Sequence, residues 1–73
     1  MRLQDMRIGQ KARVAGYHQG TSTYRARLLA FGLTRGIEIE VVNQAPLGDP
    51  VEIRLRGFNL SLRKREADCL VLD

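Results

Sequence analysis

Two alternating runs occupy the middle of the chain. Ile37, Ile39 and Val41 alternate with Glu38 and Glu40, and after a break Val51, Ile53 and Leu55 alternate with Glu52, Arg54 and Arg56. A period of two belongs to a strand with one buried face, so the runs predict a hairpin. Charge selects its register, because opposite charges directly across a pair help it and like charges oppose it. With Asn43 facing Val51, the register expected here sets Ile39 against Leu55, Val41 against Ile53, Glu40 against Arg54 and Glu38 against Arg56. A slip of two residues one way sets Glu40 against Glu52, and a slip the other way keeps one of the two ion pairs.

The connection is then Gln44-Ala45-Pro46-Leu47-Gly48-Asp49-Pro50, longer than the roughly two to five residues that close most hairpins. Pro46 and Pro50 stiffen its ends, Gly48 is free to take positive φ, and Asp49 can bond nearby backbone. Leu47 sits between them. It either projects as a contact residue or folds back as a lid on the core.

The same periods place the remaining elements. Leu3, Met6 and Ile8 follow neither period and predict a lead-in that packs on one end of the fold. Lys11 to Tyr17 alternates Lys11 and Arg13 with Ala12 and Val14, a first strand with a basic outer face. Tyr17 to Thr21 is rich in turn residues, and Thr21 or Ser22 can cap a helix starting there. Tyr24, Leu28 and Phe31 recur at helical spacing, so a short helix is expected over Thr23 to Phe31. Gly32 is placed to end it left-handed, with Leu33 packing back on the last turn. After the hairpin, Phe58, Leu60 and Leu62 alternate with Asn59 and Ser61, a further strand whose Phe58, like Phe31, is expected in the core. Lys64 to Asp68 reads as a single polar turn. Cys69 to Leu72 is a last short strand that returns to pair with the first and remove an open edge. The fold class is mainly β: a small barrel of SH3-like size, about five antiparallel strands and one short helix.

Length confines this to one domain, since 73 residues bury only about 60% of the surface their unfolded chain exposes. No apolar run approaches the roughly 20 residues that cross a bilayer, and the first residues lack a signal peptide's apolar region, so the chain is expected in the cytoplasm. A single cysteine, Cys69, agrees with a reducing compartment and is read as a buried, inert thiol.

Twelve basic against 8 acidic residues give a net charge of +4, which raises nucleic acid as a partner. The charge is dispersed, however. Arg54 and Arg56 are matched to glutamates, and Arg63-Lys64-Arg65 is followed at once by Glu66 and Asp68, as in a solvated turn. Nor does an aromatic residue occupy an outward strand position in this reading, where single-stranded nucleic acid would stack.

Enzymatic chemistry has no constellation behind it. Gly48 and Gly57 are isolated, so there is no phosphate loop. His18 is the sole histidine and lies far in sequence from Cys69. Glu38, Glu40 and Glu52 share one face of the hairpin, as ligands of a hard divalent ion would, but arginines face them. No cofactor, metal or small-molecule substrate is expected. Binding to a protein partner through loop and helix residues remains.

Three blocks carry a family resemblance: Arg27-Leu28-Leu29-Ala30-Phe31-Gly32-Leu33; Ala45-Pro46-Leu47-Gly48-Asp49-Pro50 with Val51-Glu52-Ile53; and Gly57 followed by Leu60-Ser61-Leu62-Arg63-Lys64 and Glu66-Ala67. They resemble FeoA, the small accessory of bacterial ferrous iron uptake, over most of the chain, although Arg35 stands where the family often has Pro. The pattern is also similar to the C-terminal domain of iron-dependent repressors. The resemblance implies an SH3-like barrel and one partner, the membrane transporter FeoB with its cytosolic GTP-binding domain. The residues expected to touch it are Pro46, Leu47, Gly48, Asp49 and Pro50 of the loop, with Tyr24, Leu28 and Leu33 of the helix. Contact with the membrane is expected only through the transporter, and self-association through a hairpin edge or Leu47 is open.

Overall fold

Five strands form in the computed structural model, which describes residues 1–20 and 22–73. They are β1 (Lys11–Tyr17), β2 (Glu38–Gln44), β3 (Val51–Leu55), β4 (Phe58–Leu62) and β5 (Leu70–Leu72), all paired antiparallel in the order β4-β3-β2-β1-β5. The last strand does pair with the first, Tyr17 facing Leu70 and Val14 facing Leu72. The ladder nevertheless ends on β4 and β5 instead of closing on itself.

The central pairing falls where charge puts it, with Glu40 opposite Arg54 and Val41 opposite Ile53. Nearer the loop the expected register shifts by one, and Asn43 faces Glu52 while Gln44 faces Val51. The cause lies in Val41-Val42, two apolar residues in succession. A bulge there lets β2 absorb one extra residue and keeps Val41 buried. Glu38 stands opposite Arg13 of β1, and not opposite Arg56, which leaves the strand to turn the chain at φ 48. Lys11 in turn faces Glu40, so charges of alternating sign cross three strands.

The inner faces close over a core of Val14, Ile39, Val41, Val51, Ile53, Leu55, Leu62, Leu70 and Leu72, to which the lead-in contributes Leu3 and Met6. Helix α1 (Ser22–Ala30) caps this core. Ser22 is its first residue, and Thr21 lies outside the described residues. Its end is a Schellman stop: Leu33 N donates to Leu28 O at 3.1 Å, Gly32 N to Leu29 O at 3.0 Å, and Gly32 takes φ 102. A Cβ at Gly32 would meet Leu55 Cδ1 at 3.8 Å and Arg56 Cδ at 3.9 Å. The end of α1 therefore abuts the turn between β3 and β4.

A second helix, α2 (Lys64–Ala67), replaces the expected polar turn. Glu66 Oε1 accepts from Arg63 N at 3.1 Å and satisfies a free N–H at the helix start. Its Oε2 lies 3.5 Å from Arg27 Nη1 of α1, so this buried carboxylate is held between a backbone N–H and one guanidinium. Asp49 Oδ1 accepts from Lys64 N at 3.1 Å, fixing the hairpin loop to α2. Cys69 is buried just ahead of β5, its Sγ donating to Arg65 O at 3.2 Å.

Tyr17 joins the ends of β1 and α1. Its hydroxyl donates to Leu33 O at 2.8 Å, and Arg25 lies over its ring at 5.7 Å. Burial pushes the phenol above its ordinary value of 10.0, the neighbouring Cys69 adds to the rise, and Arg25 opposes it. A raised folded-state value means that the unfolded chain loses its proton first. Stability is therefore full below pH 10.0 and declines as pH rises toward the folded-state value. Tyr17→Phe is expected to lose about 1–3 kcal/mol at neutral pH, because the buried Leu33 carbonyl loses its donor, and to lack this part of the alkaline decline. Urea unfolding at neutral pH and above pH 10.0 checks both.

Candidate functional site

The bulge and the two prolines shape the loop. Ala45 N donates to Pro50 O at 3.0 Å and closes its neck, while Gly48 N donates to Ala45 O at 2.8 Å and winds Pro46–Gly48 into one tight turn. Leu47 lies at the tip with φ 71 and ψ 7, and Gly48 follows at φ 76. The left-handed region costs a non-glycine residue about 1–2 kcal/mol. Leu47 occupies it with a side chain that is fully exposed, at 104% relative exposure. Of the two sequence expectations, projection and lid, the loop takes projection.

Pro46 and Asp49 are exposed with it, and Gly48 and Pro50 are half-buried. Asp49 does not bond the backbone beside it but reaches across to α2, so the base of the tip is tied at its neck and at Lys64. A knob held in this way loses little freedom on meeting a partner.

The helix residues divide. Tyr24 is half-buried against the core, but Leu28 and Leu33 have 0% exposure and form the inner contact of the Schellman stop. They are interior residues, which corrects their place in the expected contact set. Leu29 and Phe31, each 38% exposed, hold the outer positions. Neighbouring residues on a helix lie about 100° apart, so with Leu28 inward Leu29 must leave the core. Phe31 follows the last helical residue, where Arg27 lies over its ring at 5.9 Å. Phe58 is also outside the core: it shares the inner face with its partner Leu55, as the alternation predicts, but at the first position of β4 it is 41% exposed because the core ends there.

The carboxylates do not gather. Glu40 Oε1 lies 3.8 Å from Arg54 Nη1, in a groove of about 150 Å³ that Glu38, Lys11 and Arg56 also line. Glu52 lies elsewhere, beside Asn43 and Ser61. Among the described residues no three His, Cys, Asp or Glu side chains are grouped to hold a metal ion, and no helix is long and apolar enough to cross a membrane. Arg63, Lys64 and Arg65 are exposed along α2 and its approach.

A family model described as the FeoA domain matches residues 1–73. A curated relative from Porphyromonas gingivalis, described as an Fe(2+) transport protein A/Fe(2+) transporter FeoB fusion protein, is 39% identical over 67 residues, 92% of this chain. The chain spans only 8% of that relative's length. The solution structure of a FeoA-like protein from Clostridium acetobutylicum superposes with a TM-score of 0.88 at 38% identity, covering 100% of this chain and 84% of the other. The crystal structure of Stenotrophomonas maltophilia FeoA complexed with zinc, described as a procaryotic SH3 domain protein, gives a TM-score of 0.84 at 26% identity, with 100% and 89% coverage. The small β fold expected from the alternation is thus the SH3-like fold of these proteins.

Proposed function

The chain belongs to the FeoA domain family, and from that membership we propose that it is a non-enzymatic accessory of ferrous iron uptake that binds the cytoplasmic part of a FeoB-type transporter. It acts by modulating or assembling that transporter, on the cytoplasmic side. Pro46, Leu47, Gly48, Asp49 and Pro50 supply the loop contact, Tyr24 the helix contact, and Leu29 and Phe31 extend the helix surface in place of the interior Leu28 and Leu33. No cofactor or small-molecule substrate enters this reading.

The observation that carries it is Leu47, a wholly exposed apolar side chain held at φ 71 on a loop fastened at both ends. Backbone strain at an exposed tip contributes nothing to the core and points to use at a surface. The fusion of the two transport proteins in the Porphyromonas gingivalis relative supports the choice of partner, because joining two modules in one chain raises their effective concentration for each other.

Calorimetric titration of the transporter's cytoplasmic domain with this chain tests the proposal. Saturable binding with modest salt dependence is expected. Absence of binding overturns it, and a complex with DNA or RNA that weakens steeply with salt would favour a nucleic-acid module built on Arg63, Lys64, Arg65, Lys11 and Arg13.

A further inference from the structure

Strand β4 is an edge without the usual protection. Edge strands normally carry a lysine, a proline or an inward charge that discourages pairing with other chains. Phe58-Asn59-Leu60-Ser61-Leu62 has no charged residue and no proline. Its ladder with β3 is regular from Val51↔Leu62 to Leu55↔Phe58.

The turn that opens β4 determines which backbone groups are left over. Arg56 and Gly57 take φ 48 and φ 83 between the paired residues Leu55 and Phe58, a primed two-residue hairpin turn. The pair flanking such a turn exchanges both hydrogen bonds, and alternation makes Ile53–Leu60 and Val51–Leu62 bonded pairs as well. The N–H and C=O groups of Asn59 and Ser61 therefore point away from β3, out of the sheet. Both residues are exposed, and Phe58 and Leu60 leave apolar surface beside them.

The two proposed contact elements lie at the two ends of this edge. Gly32, at the end of α1, abuts Arg56 before Phe58. At the other end Leu62 faces Val51, the residue after the loop, and Asp49 ties that loop to Lys64. Basic residues mark both ends, Arg56 on one side and Arg63, Lys64 and Arg65 on the other, all exposed. Of the acidic groups nearby, Glu66 faces Arg27 and bonds the Arg63 backbone N–H, Asp49 bonds the Lys64 backbone N–H, and Glu52 faces Ser61 from β3.

Resting on the transporter-docking reading, we infer that the partner adds a strand to β4, using an extended segment that is uncharged in its middle and acidic at both ends. Main-chain bonds to Asn59 and Ser61 supply the pairing, and the flanking cations set its ends. A second copy of this chain fits less well. The two-fold register that lets Asn59 and Ser61 of each copy exchange bonds places Arg56 opposite Lys64, a like-charge pair.

Amide exchange followed by NMR in the full chain, with and without the transporter's cytoplasmic domain, tests this. Exchange at Asn59 and Ser61 is expected to slow by about tenfold or more on binding, while Leu60 and Leu62, already bonded to β3, change less. Ser61→Pro removes an outward N–H without touching the β3 ladder, so it should keep the fold by circular dichroism and weaken binding, whereas Ser61→Ala should bind as the parent does. Binding with unchanged exchange at Asn59 and Ser61 overturns the strand addition and leaves the docking reading standing. No binding at all overturns both. Protection that grows with the concentration of this chain alone would overturn the choice of occupant.

Discussion

Leu28→Ala is expected to lower the free energy of unfolding by about 2–5 kcal/mol, the range for truncating a large aliphatic side chain in a packed core. Total stability for a domain of this length is about 4–11 kcal/mol at the usual figure per residue, so the variant sits near its folding threshold. The size of the effect follows from where Leu28 lies. Its side chain has 0% exposure, its neighbour Leu33 is equally enclosed, and its own carbonyl accepts the Leu33 N–H that ends α1. Removing three carbons there leaves a void that the ordered Schellman turn cannot collapse to fill.

Leu29→Ala, one position on, supplies the comparison. Leu29 is 38% exposed and is expected to lose less than about 1 kcal/mol. Urea midpoints with an unchanged slope measure both. A Leu28→Ala midpoint close to that of Leu29→Ala would mean that α1 does not cover the core as described.

That pair of leucines also shows how far the chain could be read in advance. Strand β1 and the centre of the β2–β3 register were legible because period-two alternation and cross-strand charge both pointed the same way, Glu40 to Arg54 and Val41 to Ile53. The end of α1 was legible because Gly32 followed by Leu33 allows one economical stop. Which of Leu28 and Leu29 turned inward was not, since a nine-residue helix with adjacent leucines fits two rotations. Phe31 and Phe58 misled for a related reason. Each stands at the border of an element, where the core that would cover it ends.

Helix α2 was hidden by its polar composition. Its support is Glu66, bonded to Arg63 N and facing Arg27 of α1, a partner some forty residues away that periodicity does not reveal. The bulge between Val41 and Asn43 was visible only as two valines in a row, and its consequence, a register shifted by one at the loop, needed the backbone. The stiffness of the loop was readable, but the choice between a projecting Leu47 and a lid on the core was not. Two prolines and a glycine around one leucine fit either outcome, and the backbone at φ 71 turns the side chain out.

Leu47→Asp is expected to leave stability within about 0.5 kcal/mol of the parent, the usual range for a surface substitution. Nothing is lost from the core, because the side chain it replaces is fully exposed. The backbone favours the change if anything: aspartate and asparagine visit the left-handed region more readily than leucine, and position 47 sits there at φ 71. Binding should respond in the opposite sense. A single apolar anchor buried in a partner's pocket contributes about 2 kcal/mol or more, so Kd for the transporter's cytoplasmic domain should rise roughly thirtyfold. Leu47→Asn separates the causes, since asparagine is nearly isosteric with aspartate but adds no charge. If apolar burial at the tip drives docking, both variants bind roughly thirtyfold more weakly while melting at the parent temperature. If Leu47→Asn binds as the parent does and only Leu47→Asp fails, the partner rejects a charge and the knob is not an anchor. Unchanged Kd for both would remove the loop tip from the contact.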